Sequence, residues 1–212
     1  MDHDFWHQRW RENRIGFHNA APNGLLTQYF DRLNLHSGQR VFLPLCGKTL
    51  DIDWLSQADF QVVGSELSEK AVSEVFDRLG LEPVITTQGA LTSYSTKNLV
   101  LVAGDFFDIS ASQLGTVDAV YDRAALVALP KDMRARYSEH LSKITSAASQ
   151  LLICFAYDQS RMHGPPFSVE EDEVAQLYGA SFTINLPDRR RNTGNLADKA
   201  GGFEETWLLE PI

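Results

Sequence analysis

Cysteine is scarce in this 212-residue chain: only Cys46 and Cys154 occur, both in apolar surroundings. Two such residues exclude a disulfide-built scaffold, and neither has a partner at metal-ligand spacing. Basic residues are outnumbered, 19 Lys and Arg against 28 Asp and Glu, for a formal net charge of −9. A nucleic-acid backbone is therefore not expected as a partner, because phosphate binding needs a basic surface. No stretch approaches the roughly 18 apolar residues of a membrane span, so no membrane association is expected. Met1-Asp2-His3-Asp4 lacks a basic segment leading into an apolar one. A secretory signal is accordingly not expected, and a cytoplasmic location is. Internal repeats, low-complexity tracts and long linkers are also missing. No apolar stripe demands a partner chain, which points to a monomer. What is present, 43% hydrophobic and 22% charged residues, is the balance of one globular unit over residues 1–212. A chain of this size buries roughly 70% of its unfolded surface.

Short apolar runs alternate with helical patterns, the signature of an α/β sheet. The runs are Arg40–Leu45, Gln61–Glu66, Leu99–Ala103, Val117–Tyr121 and Leu151–Ala156. They are rich in Val, Leu, Ile and Phe and mostly do not alternate, as parallel strands covered on both faces require. Between them, Leu50–Ala58, Ser68–Leu79 and Lys131–Ser146 carry helical spacing, with Ser68 as a start and Gly80 as a stop. Residues from Phe5 to about Leu33 read as helix broken near Gly16 and near Pro22-Asn23-Gly24, a segment able to fold across the open end of the sheet. Further on, a helix is expected over Val169–Tyr178. Strands are expected over Ser181–Leu186 and Phe203–Leu209, with a charged loop between them. That final pair suits a seven-stranded sheet with an antiparallel edge.

Ligands of open α/β sheets bind beyond the carboxyl ends of the strands, so the residues after each run carry the chemistry. Those residues are Pro44-Leu45-Cys46-Gly47-Lys48, Glu66, Gly104-Asp105-Phe106 and Asp122-Arg123. Glu66 lies 66 − 47 = 19 residues past Gly47, near the offset of about 20 at which an acidic residue meets a ribose. The alternative is a solvent-facing carboxylate at a strand end. The first turn has no G-x-G-x-x-G; Pro44 has no N–H to offer a pyrophosphate. A nucleoside bearing no phosphate, such as S-adenosylmethionine, suits this turn better than a dinucleotide. Lys48 lacks the surroundings of a phosphate-binding lysine and reads as solvated. Asp105 and Phe106 could offer adenine an acceptor and an apolar face, or could simply end a strand with a ring in the core. Arg123 is either an ion-pair partner of its own fold or a ligand contact.

Phe5, Trp6, Trp10 and Phe17 crowd into thirteen positions. They form either a helix packed on the core or a lid whose rings cover a sulfonium and an aromatic substrate. His3 and His7 share a helix face but lack a third ligand, so no metal is expected. Arg189-Arg190-Arg191 reads as a solvated run in the charged loop, with substrate capture as the lesser alternative.

At these residues the sequence resembles the thiopurine S-methyltransferase family, particularly its bacterial members. The matching stretches are Trp6-x-x-Arg9-Trp10, Gly16-Phe17-His18, Arg40–Lys48 with its Pro-Leu-Cys-Gly-Lys turn, Val63–Glu66, Asp122–Ala128 and His163–Phe167. The resemblance implies a Rossmann-like class I methyltransferase fold with a helical lid, residues 1–34, over the active site. It implies S-adenosyl-L-methionine as cofactor and S-adenosyl-L-homocysteine as product. The acceptors it implies are thiopurines and other aromatic or heterocyclic thiols, and for some bacterial members selenium or tellurium species. Carried over by position, Trp10, Leu45, Glu66 and Arg123 bind the cofactor, with Asp105 and Phe106 around adenine. Phe17 bridges cofactor and substrate, and Arg123 also faces the substrate as a thiolate stabiliser; no dedicated base is implied. Ala124 stands where animal relatives are expected to carry glycine. After Pro187 the match decays, leaving Arg189, Arg190 and Arg191 as candidates for a second substrate arginine. The readings still open are a nicotinamide-dependent oxidoreductase, which the proline in the first turn disfavours, and a non-catalytic nucleoside-binding module.

Overall fold

The computed structural model describes residues 3–212. In chain order it contains α1 (His3–Arg11), α2 (Gly24–Tyr29), β1 (Arg40–Leu43), α3 (Asp51–Gln57), β2 (Gln61–Glu66), α4 (Glu69–Leu79), β3 (Val84–Gln88), β4 (Leu91–Ser95) and β5 (Leu99–Ala103). Then follow α5 (Ala111–Leu114), β6 (Ala119–Arg123), α6 (Lys131–Ile144), β7 (Ser149–Ala156), α7 (Glu171–Tyr178), β8 (Phe182–Arg191), α8 (Gly194–Lys199) and β9 (Phe203–Pro211). The signals expected at α4 operate: Ser68 Oγ accepts from the Ala71 N–H, and Gly80 closes the helix in the left-handed conformation.

All strands form one sheet in the order β3-β4-β5-β2-β1-β6-β7-β9-β8. The five apolar runs become β1, β2, β5, β6 and β7, paired in parallel. The sheet has nine strands rather than seven. The two extra strands are the β3–β4 hairpin, antiparallel on β5, in which Gln88 faces Leu91 across a two-residue Gly89-Ala90 loop. At the other side the antiparallel strand is not at the edge: β9 sits between β7 and β8, leaving β8 outermost. Strand β8 is also longer than expected, so Arg189-Arg190-Arg191 lies within it and not in a loop. In that ladder Arg189 pairs with Glu205 at 3.1 Å, and the Arg189 and Arg191 guanidiniums lie over the Phe203 ring, so the run is not simply solvated.

Helices cover both faces. α6 and α7 bury Tyr137, Leu141, Val174 and Tyr178 against one face with Phe42, Val120, Leu152 and Trp207. α2, α3 and α4 bury Leu25, Ile52, Leu55, Val72 and Val75 against the other with Val41, Val62, Leu101 and Leu208. Gly64 in β2 is required by this packing, since a Cβ there would lie 2.7 Å from Leu101 Cδ2 and 2.8 Å from Cys46 Sγ. Among the described residues no helix is long and apolar enough to cross a membrane.

Two buried carboxylates tie the layers together at the carboxyl end of β6. Asp51 accepts from the Asn23 N–H at 2.6 Å and from Tyr121 Oη at 3.1 Å, fixing the start of α2 to the sheet. Asp122, fully buried, accepts from Tyr137 Oη at 2.7 Å and from the Leu126 N–H at 3.1 Å. Burial pushes its carboxyl from an ordinary 3.8 to about 6, against the pull of those donors. Between these two values a rise in pH ionises the unfolded chain first, so Asp122 subtracts stability as pH climbs. Asp122→Asn keeps the shape and removes the titration. Urea midpoints of wild type, measured from about pH 4 to about pH 6, should fall relative to those of the variant; parallel curves would mean that the buried carboxyl is not raised.

Candidate functional site

A cavity of about 560 Å³ opens at the carboxyl ends of the parallel strands, within the range of small-molecule sites. Its walls come from Pro44, Leu45 and Cys46 after β1, Glu66 and Leu67 at β2, and Tyr121, Arg123 and Ala124 at β6. Phe155 of β7, Arg190 of β8 and Glu204 of β9 continue the wall, and Trp6, Arg9, Trp10, Phe17 and His18 close it from the N-terminal segment.

Glu66 is 7% exposed and its carboxylate gathers three elements. Oε1 accepts from the Ser68 N–H at 2.8 Å and from Trp10 Nε1 at 3.1 Å, while Oε2 accepts from the Gly47 N–H at 2.9 Å. Burial raises the carboxyl above the ordinary glutamate value, and the N–H groups of Ser68, Gly47, Trp10 and Leu67 oppose the rise without cancelling it. A carboxylate has about four acceptor sites, so the three hydrogen bonds leave room for a ligand hydroxyl from the cavity. Gly47 is left-handed at φ 56° and lies under Trp10; a Cβ there would stand 3.3 Å from the indole. The backbone approaches closely here because no side chain intervenes.

The turn after β1 departs from a glycine-rich phosphate loop in a second way. Leu45 itself is left-handed, with φ 47°, as is Ala124 after β6, with φ 63°. Such backbone costs a non-glycine residue about 1–2 kcal/mol, which explains why glycine fits the place of Ala124. Leu45 N–H donates to Ser65 Oγ at 3.2 Å and Cys46 N–H to Ser65 O at 2.8 Å, so the turn is held from β2. Burial and the neighbouring Glu66 push the Cys46 thiol far up, which disfavours its thiolate form.

The aromatic N-terminal segment packs on itself and on the site. Phe17 meets Trp6 at 5.9 Å and Trp10 at 5.6 Å between ring centroids, both edge-on. Arg123 Nη1 donates to Phe17 O at 2.7 Å, joining the end of β6 to this segment. His18 is held towards its neutral form by burial and by Lys48, Arg78 and Arg123. Lys48 is not solvated: it pairs with Glu74 and stands 5.9 Å from the centroid of Trp10.

Of the residues singled out from sequence, Trp10, Phe17, Leu45, Glu66 and Arg123 converge on the cavity. Asp105 and Phe106 are used differently. The Phe106 ring is 1% exposed and packed among Phe42, Tyr137 and His140, so it offers no face to adenine. Asp105 accepts from the Phe107 N–H at 2.9 Å and pairs at 2.9 Å with Nε2 of His3, whose side chain stays partly exposed to solvent, a contact that joins α1 to the end of β5. Of the three arginines of β8, Arg190 lines the cavity. Sequence reasoning misses Asp51 and Glu204. Asp51 lies in a helix start without a motif, and Glu204 lies in a strand whose antiparallel placement decides where it faces.

A family model described as Thiopurine S-methyltransferase (TPMT) matches residues 1–205. A thiopurine S-methyltransferase of Xanthobacter autotrophicus is 51% identical over 211 residues, covering 99% of each chain. A probable thiopurine S-methyltransferase of Yarrowia lipolytica is 39% identical, covering 100% of this chain and 97% of the other. Among solved structures, a SAM-dependent methyltransferase from Anabaena variabilis superposes with a TM-score of 0.67 at 13% identity, covering 99% of this chain and 95% of that one. The 1,6-didemethyltoxoflavin-N1-methyltransferase of Burkholderia thailandensis, solved with S-adenosylhomocysteine, gives 0.65 at 15% identity, covering 98% and 87%. The sheet is thus that of the class I methyltransferases, and the chain belongs to the thiopurine S-methyltransferase family.

Proposed function

We propose that this protein transfers the methyl group of S-adenosyl-L-methionine to the sulfur of thiopurines and of other aromatic or heterocyclic thiols. The observation that carries the reading is Glu66: a buried carboxylate at the end of β2, with acceptor capacity towards a cavity whose first turn has no phosphate cradle. Family membership supports the same donor and acceptor. The acidic net charge of −9 supports a small-molecule acceptor over a nucleic acid. The same reading has the protein acting as a monomer in the cytoplasm.

The donor supplies an activated methyl on a positively charged sulfur. Glu66 accepts a ribose hydroxyl, and Leu45 with Cys46 of the same turn bounds the nucleoside. Trp10 and Phe17 present aromatic surface beside the site, suited to a sulfonium and to a flat heterocycle. Arg123 holds negative charge on the acceptor sulfur, which favours its ionised form. For an acceptor already ionised at sulfur, orientation and exclusion of water supply the rate, since a thiolate is a sufficient nucleophile. Of the segment 1–34, the described residues from 3 onward act as the cap that excludes the water, tied down by the Trp10–Glu66 and His3–Asp105 contacts.

Glu66→Ala should weaken S-adenosylhomocysteine binding at least about ten-fold by calorimetry, the worth of one hydrogen bond to a charged group. Unchanged affinity would remove the ribose role. Trp10→Ala should speed amide exchange over residues 3–11 while β1 and β2 keep wild-type protection. Loss of protection throughout the sheet would instead make Trp10 a core residue and not the fastening of a cap.

A further inference from the structure

Strands β8 and β9 complete the cavity wall with two opposed charges. Arg190 and Glu204 face each other directly across the β8–β9 ladder, and Phe155 of β7 is the partner of Glu204 on its other side. All three line the cavity together with Arg123. Opposite charges so placed ordinarily pair. Here Arg190 turns away to Asp188 and to Gln28 Oε1, 3.1 Å distant, while Arg123 donates to Phe17 O at 2.7 Å. No hydrogen bond or ion pair holds the Glu204 side chain among the described residues. The next residue, Glu205, points to the other face and shows the contrast: it is 2% exposed and paired with Arg189 at 3.1 Å. Glu204 is therefore a half-buried carboxylate in a ligand cavity with acceptor capacity that the chain does not use. Burial raises its carboxyl above the ordinary glutamate value, Asp188 adds to this, and Arg123 and Arg190 oppose it. A carboxylate in that condition is a better base than an exposed one and lacks a donor.

We propose that Glu204 is a catalytic residue that takes the ring N–H proton of heterocyclic thione acceptors, and so sets the preference of the site for these over simple aryl thiols. The proposal rests on the methyl-transfer reading above and specifies its acceptor side. A heterocycle with C=S beside ring N–H must lose that proton to become an S-methyl product. As Glu204 accepts the proton, the N–H bonding pair forms a ring C=N bond and the C=S π pair moves onto sulfur. A lone pair of that sulfur forms the new S–CH₃ bond, and the methyl leaves the sulfonium with the old bonding pair remaining on the donor sulfur. The products are a neutral methyl thioether, S-adenosylhomocysteine and a protonated Glu204, which returns its proton to solvent. An aryl thiol without ring nitrogen ionises at sulfur by itself and needs Arg123 but not Glu204.

Glu204→Gln keeps shape and removes the base. Two acceptors are compared, 6-mercaptopurine and thiophenol, each with S-adenosylmethionine. The variant should lose about a hundred-fold in kcat on 6-mercaptopurine, the scale of a general base, and less than about two-fold on thiophenol. A second readout needs no turnover. With S-adenosylhomocysteine present, at a pH where free 6-mercaptopurine is neutral, wild type should shift the absorption of the bound heterocycle towards that of its anion, and the variant should not. Equal losses on both acceptors, no loss on either, or the same absorption shift in both proteins would overturn the role of Glu204. Should the variant fail to fold, Glu204→Asp, which withdraws the carboxylate by one methylene, must show the same selective loss. Wild-type protein that methylates neither acceptor would instead defeat the methyl-transfer reading and the proposal with it.

Discussion

The carboxylate of Glu66 is where three separately folded pieces meet. It accepts from the indole of α1, from the backbone of the turn after β1 and from the backbone that opens α4. Burying a carboxylate costs several kcal/mol unless its lone pairs are satisfied, so the turn and the helix start must stand where they do. The same requirement holds Trp10 inward and, through it, Phe17 and the backbone carbonyl that Arg123 grips. The parallel strands supply a rigid base and this one anion sets the position of what covers it.

Further buried anions extend that logic beneath the site. Asp51 joins Tyr121 to the start of α2, and Asp122 joins Tyr137 to the backbone beyond Arg123. Each sits at or beside the carboxyl end of β6, so the residues on either side of Arg123 are fixed by polar contacts and not by apolar packing alone. The left-handed Leu45 and Ala124 are bearable in this setting, because the surrounding bonds over-determine their backbone.

The parallel half of the sheet was legible from its apolar runs, since strands covered on both faces leave continuous Val, Leu and Ile in the sequence. The cavity-lining group Leu45, Glu66 and Arg123 was legible for the same reason, as it simply follows those runs. The β3–β4 hairpin was not: its outer strand is fully exposed, Val84 at 68% and Ile85 at 55%, and carries no burial pattern. Its signal was the Gly89-Ala90 loop between two β-branched segments, a short-range cue that no apolar run accompanies. Phe106 misled because a strand-end aromatic reads the same whether it faces a ligand or the core. The arginine run misled because three like charges resemble a loop, whereas Glu205 and the Phe203 ring neutralise and cover them in the ladder. Glu204 could not be found at all without knowing that β9 runs between β7 and β8.

That insertion also makes one side of the molecule depend on a single strand. Among the described residues β8 has no hydrogen-bonding neighbour other than β9, and β9 is made of residues 203–211. Arg190 therefore reaches the cavity wall only by way of β9, whereas Glu66 and Arg123 stand on strands that are joined without it. Loosening β9 from β7 would accordingly be felt on the Arg190 and Glu204 side of the cavity before the Glu66 side.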